Sequence, residues 1–346
     1  MANFKHLKKL DAVRGFAAFY VLLHHWSTQW TFIPPIWRKA LLSFGQEAVM
    51  VFFVMSGFVI YLSCANKENL TFRYYFIRRF RRIYFPFFCA LLLSSLIFLI
   101  NNQFLQKFSW KQTFGNLAML QDIAYLKPGT WFDPFLGNVS LWSLSYEWWF
   151  YMIFIGIYYV LAKASRRIYI VLVASVLAYL SYIQFPNQAS LILSYFIIWW
   201  CGVEAARIFV ERKRYTFRSL QPIIVSLLLM CGLTFAPVLS GEDLQPGIYP
   251  FLVFRHFVVV LALILFAWFW YRHQFIGFDR IFGSFAIFAP ISYAIYVFHY
   301  PILIQLKLSS YIPNYWVETT LKLILLFGLS YLVEIKLQPV VNRWLK

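Results

Sequence analysis

The sequence predicts an all-α polytopic integral membrane protein, a helical bundle of about ten transmembrane helices with both termini cytoplasmic. Three observations predict it. Of 346 residues, 62% are hydrophobic and 13% charged, whereas a soluble domain carries about 25% charged residues. Apolar runs of about 20 residues, the length that spans hydrocarbon, recur along the chain. Basic residues concentrate between alternate runs, which is how a membrane protein is oriented.

The runs fall at 11–31, 46–64, 84–101, 139–161, 168–184, 189–206, 219–239, 251–271, 286–308 and 317–335. With the N-terminus inside, the inner segments 1–14, 65–83, 162–167, 207–218, 272–285 and 336–346 hold 23 Lys or Arg. The outer segments 32–45, 102–138, 185–188, 240–250 and 309–316 hold 5. This asymmetry fits ten spans. Segment 112–124, QTFGNLAMLQDIA, is short for a span; if it crossed, KASRR and ERKRYTFR would lie outside, against the positive-inside rule. It reads as re-entrant or interfacial. The first run follows a basic start, as in a signal peptide, but HHWSTQW offers no small-residue cleavage site, so it reads as a retained helix. A single domain, 1–346, with no appended soluble domain is expected, since no repeat or low-complexity linker divides the chain.

In a soluble protein the net charge of +18 would suggest nucleic acid. Between apolar runs it serves orientation and contact with membrane lipids, so nucleic acid is not an expected partner. Cys64, Cys89, Cys201 and Cys231 stand singly within apolar runs, without the paired spacing of a metal site. They read as packing residues, and no metal is expected.

Ionisable side chains inside spans are costly, which makes each a functional candidate. They are His24, His25, Glu147, Glu204, Arg255, His256, His299 and Lys322. Arg14 and His25 are eleven residues apart, nearly three helical turns, and so share a face roughly 16 Å apart. Asp11, one turn before Arg14, is placed to hold it at the inner boundary. At about 1.5 Å per residue, His25 and His299 lie roughly 20 Å from the inner ends of their spans, and Glu147 roughly 12 Å from the outer end of its own. In a core of about 30 Å these levels are close. A buried carboxylate beside an imidazole suits proton transfer from a hydroxyl; a structural polar cluster is the competing reading.

The stretch FRYYFIRRFRRIYFP packs Arg73, Arg78, Arg79, Arg81 and Arg82 at the inner side of the third span. It is either an orientation signal with an anionic-lipid patch, or a phosphate grip in which Arg79 and Arg82 share one face of a helix. Glu204 is expected to pair with Arg207 or to snorkel at the inner end, a structural role in either case. Arg255 and His256 are expected to meet a polar acceptor or interfacial water, and Lys322 to snorkel outward. No GxGxxG, Walker loop, GxSxG elbow or HExxH occurs.

Five stretches, LDAVRGFAAFYVLLHHW, FFVMSGFVIY, FIRRFRRIYFP, NVSLWSLSYEWWFY and ISYAIYVFHYPIL, follow one another along the chain. Together they resemble the signatures of the acyltransferase-3 family of integral-membrane acyltransferases, which includes bacterial O-antigen and other surface-polysaccharide O-acetyltransferases. The resemblance implies catalytic roles for His25, Glu147 and His299, with His25 as general base or acyl acceptor. It implies acyl-CoA binding by Arg14, Arg79 and Arg82. It further implies acetyl-CoA as the cytosolic donor substrate, no bound cofactor, a lipid-linked or exported glycan as acceptor, and residence in the bacterial cytoplasmic (inner) membrane. Two rival readings stand beside it. One is a proton-coupled transporter in which the histidines and Glu147 relay protons. The other keeps the fold and transfers another acyl group, such as succinyl.

Overall fold

A computed structural model describes residues 8–30, 32–65, 67, 70–161, 167–212, 214–241, 245–309 and 311–345. The structure is 81% helical, and no strand occurs among the described residues. The long helices are α1 (Lys8–Trp26), α2 (Gly45–Ala65), α3 (Phe72–Ile100), α4 (Trp142–Leu161) and α5 (Arg167–Gln184). They continue with α6 (Gln188–Arg212), α7 (Phe217–Leu239), α8 (Phe251–Arg272), α9 (Phe278–Gln305) and α10 (Tyr315–Trp344). Eight of them are long and apolar enough to cross a membrane. The other two, α1 and α4, have 19 and 20 residues. The early charges of α1 and the Trp and Tyr content of α4 lower their hydropathy without shortening them.

Several ends differ from the sequence reading, for local reasons. Helix α1 stops at Trp26 because Ser27 Oγ and Thr28 Oγ1 donate to the carbonyls of His24 and His25 at 2.8 and 2.6 Å, drawing the chain into a 3-10 turn at Ser27–Gln29. Helix α3 starts at Phe72, well before residue 84, because Thr71 caps it by accepting from Tyr74 N–H at 3.3 Å. The arginine-rich stretch is therefore the first turns of α3. Segment 112–124 does not cross. It holds part of an eight-residue helix, Trp110–Leu117, about 12 Å long. Irregular chain follows in which Met119, Gln121 and Asp122 are fully buried. Asp122 N–H donates to Phe132 O at 2.8 Å and Gln121 Nε2 to Leu141 O at 2.9 Å, bonds that tie this buried segment to the chain that leads into α4.

Glycine permits the closest helix crossings. A Cβ on Gly57 of α2 would lie 2.1 Å from Trp199 O of α6, and one on Gly202 of α6 would lie 1.8 Å from Val54 O of α2. The two backbones therefore touch, as small residues permit in membrane bundles. Gly15 brings α1 equally close to α9, where a Cβ would stand 1.9 Å from Phe285 O. Helix α9 changes pitch along its length, from a 3-10 stretch (Gly283–Ile291) through α-helix (Ser292–His299) to a π turn (Tyr300–Gln305). Pro290 and Pro301 each remove a ladder N–H. His299 sits at the second junction.

Candidate active site

The adjacent histidines of α1 have different partners. His24 Nδ1 hydrogen-bonds the Leu42 carbonyl, and its ring lies so close to Gly45 that a Cβ there would come within 2.3 Å. It fastens the chain that enters α2. His25, half-buried, faces α9, with its Nδ1 3.1 Å from His299 Nε2 and the ring centroids 5.1 Å apart. The Tyr300 ring stands edge-on at 5.4 Å. The hydrogen bonds assign the tautomers. His299 Nδ1 is 3.1 Å from Ile295 O; a carbonyl only accepts, so Nδ1 carries the proton and Nε2 is the acceptor. His25 Nδ1, also 3.1 Å from Val21 O, must then be the donor to both. That leaves His25 Nε2 unprotonated, with a lone pair suited to a base or a nucleophile.

Helices α1, α2, α3, α4 and α9 enclose a cavity of about 180 Å³. Arg14, Arg79 and Arg82 line it at the end where the basic segments gather. Arg14 pairs with Asp11 at 2.7 Å, the contact expected from their spacing. Arg79 and Arg82 share a face of α3, yet their surroundings differ. Arg82 pairs with the buried carboxylate of Glu334, carried on a π turn of α10 (Leu332–Leu337), and lies over the Tyr293 ring at 5.4 Å. Arg79 donates to Ser63 Oγ at 3.2 Å and lies 5.6 and 5.8 Å from the Tyr75 and Tyr151 rings. Among the described residues it has no carboxylate within ion-pair distance. Among the described residues the buried Nε atoms of Arg14 and Arg79 have no acceptor. Buried guanidinium donors of this kind suit phosphate oxygens.

Glu147 lines the same cavity, and its Oε1 accepts from Ser56 Oγ at 3.1 Å and from Tyr151 Oη. Ser56 Oγ in turn accepts from Trp199 Nε1 at 3.2 Å. The expected partnership of Glu147 with His25 is not what the fold makes. Helix α4 turns Glu147 toward α2, while the close crossing at Gly15 joins α1 to α9 and gives His25 to His299. Ser143, one turn before Glu147, and Tyr296, one turn before His299, also line the cavity and share a hydrogen bond of 2.7 Å. The Tyr296 and His299 ring centroids are 6.1 Å apart. The cavity thus ends about one helical turn short of the histidine pair.

The remaining candidates are structural pairs. Glu204 meets Arg207 at 2.5 Å and Arg167 at 3.8 Å. Arg255 pairs with buried Glu47 and donates to Pro246 O at 3.0 Å, while His256 Nδ1 meets Tyr195 Oη at 2.7 Å. Lys322 does not snorkel outward. It is 7% exposed and pairs with Glu318 at 2.8 Å. The acid four residues before Lys322 was a local signal, whereas Glu47 and Glu334 find their arginines across the fold and left none. Asp122 and Lys127, a fully buried pair at 2.7 Å joined by Tyr146 Oη at 2.5 Å, were also missed because they lie outside the apolar runs. Burial pushes the Lys127 ammonium below its usual range, against the pull of Asp122.

A family described as an acyltransferase domain matches residues 7–335. The chain belongs to this acyltransferase-3 family. It is 33% identical over 153 residues to "Acyltransferase MdmB" of Streptomyces mycarofaciens, covering 43% of this chain and 38% of the relative. It is 22% identical over 347 residues to the Bacillus subtilis (strain 168) protein named "Putative peptidoglycan O-acetyltransferase YrhL", covering 87% of this chain and 49% of the relative. The chain thus spans half or less of the length of these curated relatives. No solved structure matches it. All six candidate residues, Arg14, His25, Arg79, Arg82, Glu147 and His299, fall inside the acyltransferase-3 match.

Proposed function

We propose that the protein is a membrane-embedded O-acyltransferase of the bacterial cytoplasmic membrane. It moves an acetyl group from cytosolic acetyl-CoA to a hydroxyl of a lipid-linked or exported glycan. The observation that carries this reading is the histidine pair, whose bonding leaves His25 Nε2 basic about one helical turn beyond a cavity rimmed by guanidinium groups. Family membership supports acyl transfer, and the glycan acceptor takes its support from the peptidoglycan O-acetyltransferase in the name of one relative.

Arg14 and Arg79 bring buried donors to the donor phosphates, and the cavity takes the thioester arm toward Tyr296. Arg82, held by Glu334, contributes charge with less freedom to move. His25 Nε2 takes the proton of the acceptor hydroxyl as its oxygen attacks the thioester carbonyl, and the carbon–sulfur bond then breaks. The imidazolium returns the proton to the leaving thiolate, releasing CoA as the thiol. In the covalent variant Nε2 attacks the thioester carbonyl and the carbon–sulfur bond breaks, expelling the CoA thiolate. The acceptor hydroxyl then attacks the acetyl carbon, the carbon–nitrogen bond breaks and the hydroxyl proton goes to the thiolate. His299 fixes the His25 tautomer in either route. Glu147 holds Tyr151 and Ser56 along the donor path.

The test uses purified protein in proteoliposomes, given acetyl-CoA labelled in the acetyl group together with lipid-linked glycan. Label is expected on the glycan. Label that stays on CoA with the native glycan present would remove this reading.

A further inference from the structure

The loop that leads into α4 grips the helix turn that carries His299. Pro301 has no N–H, so the Val297 carbonyl lacks its i+4 donor in α9. Asn138, fully buried, supplies a substitute, its Nδ2 donating to Val297 O at 3.1 Å while its Oδ1 accepts from Ser140 Oγ at 2.6 Å. The same loop also holds the far end of the π turn. Gln305 Nε2 donates to Leu136 O at 2.8 Å, and Asn101 Nδ2 donates to Gln305 O at 3.0 Å. Leu136 adopts φ 47° and ψ 31°, and Gly137 φ 70°. Left-handed backbone is costly for leucine, and such strain persists only where surrounding contacts enforce it. Two independent features therefore converge on the Tyr300–Gln305 turn: a carbonyl freed by proline and capped from outside, and a strained loop clasped at the other end.

We propose that Asn138 is a positioning residue for the His25–His299 pair, its side-chain amide replacing the backbone donor that Pro301 takes from the Val297 carbonyl. The proposal rests on the catalytic reading of that pair. His299 lies between Val297 and the π turn, so the capped carbonyl sets where His299 Nε2 stands to receive His25 Nδ1–H. π turns inserted in helices frequently mark functional sites for this reason, because they rotate one side chain out of the helical register. Asn138 lies outside the lining of the guanidinium cavity, so its contribution belongs to turnover and not to donor binding.

The experiment is a double-mutant cycle of Asn138→Ala with Pro301→Ala, assayed by acetyl transfer in proteoliposomes. In the native background Asn138→Ala is expected to lower kcat about 10- to 100-fold, the scale of a misplaced catalytic group, with the donor KM within about twofold. The pH dependence of kcat should shift, since His25 then titrates without its fixed partner. Pro301→Ala restores a backbone N–H within reach of Val297 O. In that background Asn138→Ala should cost little, and the native pH profile should return. Asn138→Asp keeps the shape and the Ser140 contact but cannot donate, and it should resemble Asn138→Ala. If Asn138→Ala alone does not fold, the comparison is made within the Pro301→Ala background, where a full loss of turnover would overturn the proposal. An unchanged kcat in folded Asn138→Ala, a loss that Pro301→Ala does not relieve, or a matching rise in donor KM would also overturn it. Absence of transfer by the wild type is a different outcome and would refute the acyltransferase reading itself.

Discussion

His25 and His24 show how little sequence position says about a residue's work. The two rings are adjacent, 4.8 Å between centroids, yet one helix step sends His24 to the Leu42 carbonyl and His25 to His299. The carbonyl at Ile295 decides the chemistry, because it forces the proton of His299 onto Nδ1 and makes Nε2 an acceptor. A side chain that accepts at the same place should therefore substitute for His299. His299→Gln, whose amide oxygen can receive His25 Nδ1–H, is expected to keep most of the transfer rate. His299→Phe should lose about 100-fold, the scale of general-base catalysis when the base is wrongly presented. Turnover measured in the two folded variants checks this; equal losses would show that hydrogen-bond acceptance at His299 is not its role. That His25 needs a polar partner was legible in the sequence, since an imidazole deep in an apolar run needs a reason. The choice between His299 and Glu147 was not, because depth matched both to His25, and helical periodicity fixes a residue's face on its own helix and leaves the facing helix open. For the same reason Glu147 matched His25 in depth but bonds Ser56 and Tyr151.

At the level of elements, the site depends on helices that approach closely at chosen points. The α2–α6 crossing at Gly57 and Gly202 brings Ser56 to Trp199 and, through Ser56, fixes Glu147. Gly202→Leu cannot be accommodated there without separating the helices. It should destabilise the protein by about 3 kcal/mol, the upper range for overpacking, read as a lower thermal transition in detergent. Gly232→Leu is the control, for a Cβ at Gly232 meets nothing within 4 Å, and it should leave the transition in place. A matching fall in both variants would contradict the packing account. Spans were legible because length and apolarity are summed over many residues. Ends were less so, being set by single contacts such as Ser27 with His24 or Thr71 with Tyr74. The π turns at Tyr300–Gln305 and Leu332–Leu337 had no sequence signature beyond Pro301.

Across the whole molecule, charge and chemistry divide along the membrane normal. Guanidinium groups gather at the end bearing the basic segments, the cavity runs inward past Glu147, and the histidine pair lies beyond Tyr296 and Ser143. The order of these groups follows from topology, since Arg14 and His25 stand about three turns apart on one helix while Arg79 and His299 enter from α3 and α9. The spacing of Arg79 and Arg82 placed both guanidinium groups on one face of a helix, and both line the cavity. The inequality of the two arginines emerged only when α10 brought Glu334 to Arg82. Donor capture and transfer should accordingly be separable. The most direct test is to measure acetyl-CoA binding by calorimetry and labelled acetyl transfer to glycan in proteoliposomes, for wild type, His25→Ala and Arg79→Ala. The account predicts that His25→Ala binds donor normally and transfers nothing, while Arg79→Ala binds donor at least about tenfold more weakly, the loss of about one charge-assisted hydrogen bond. Transfer at the wild-type rate by folded His25→Ala would contradict it.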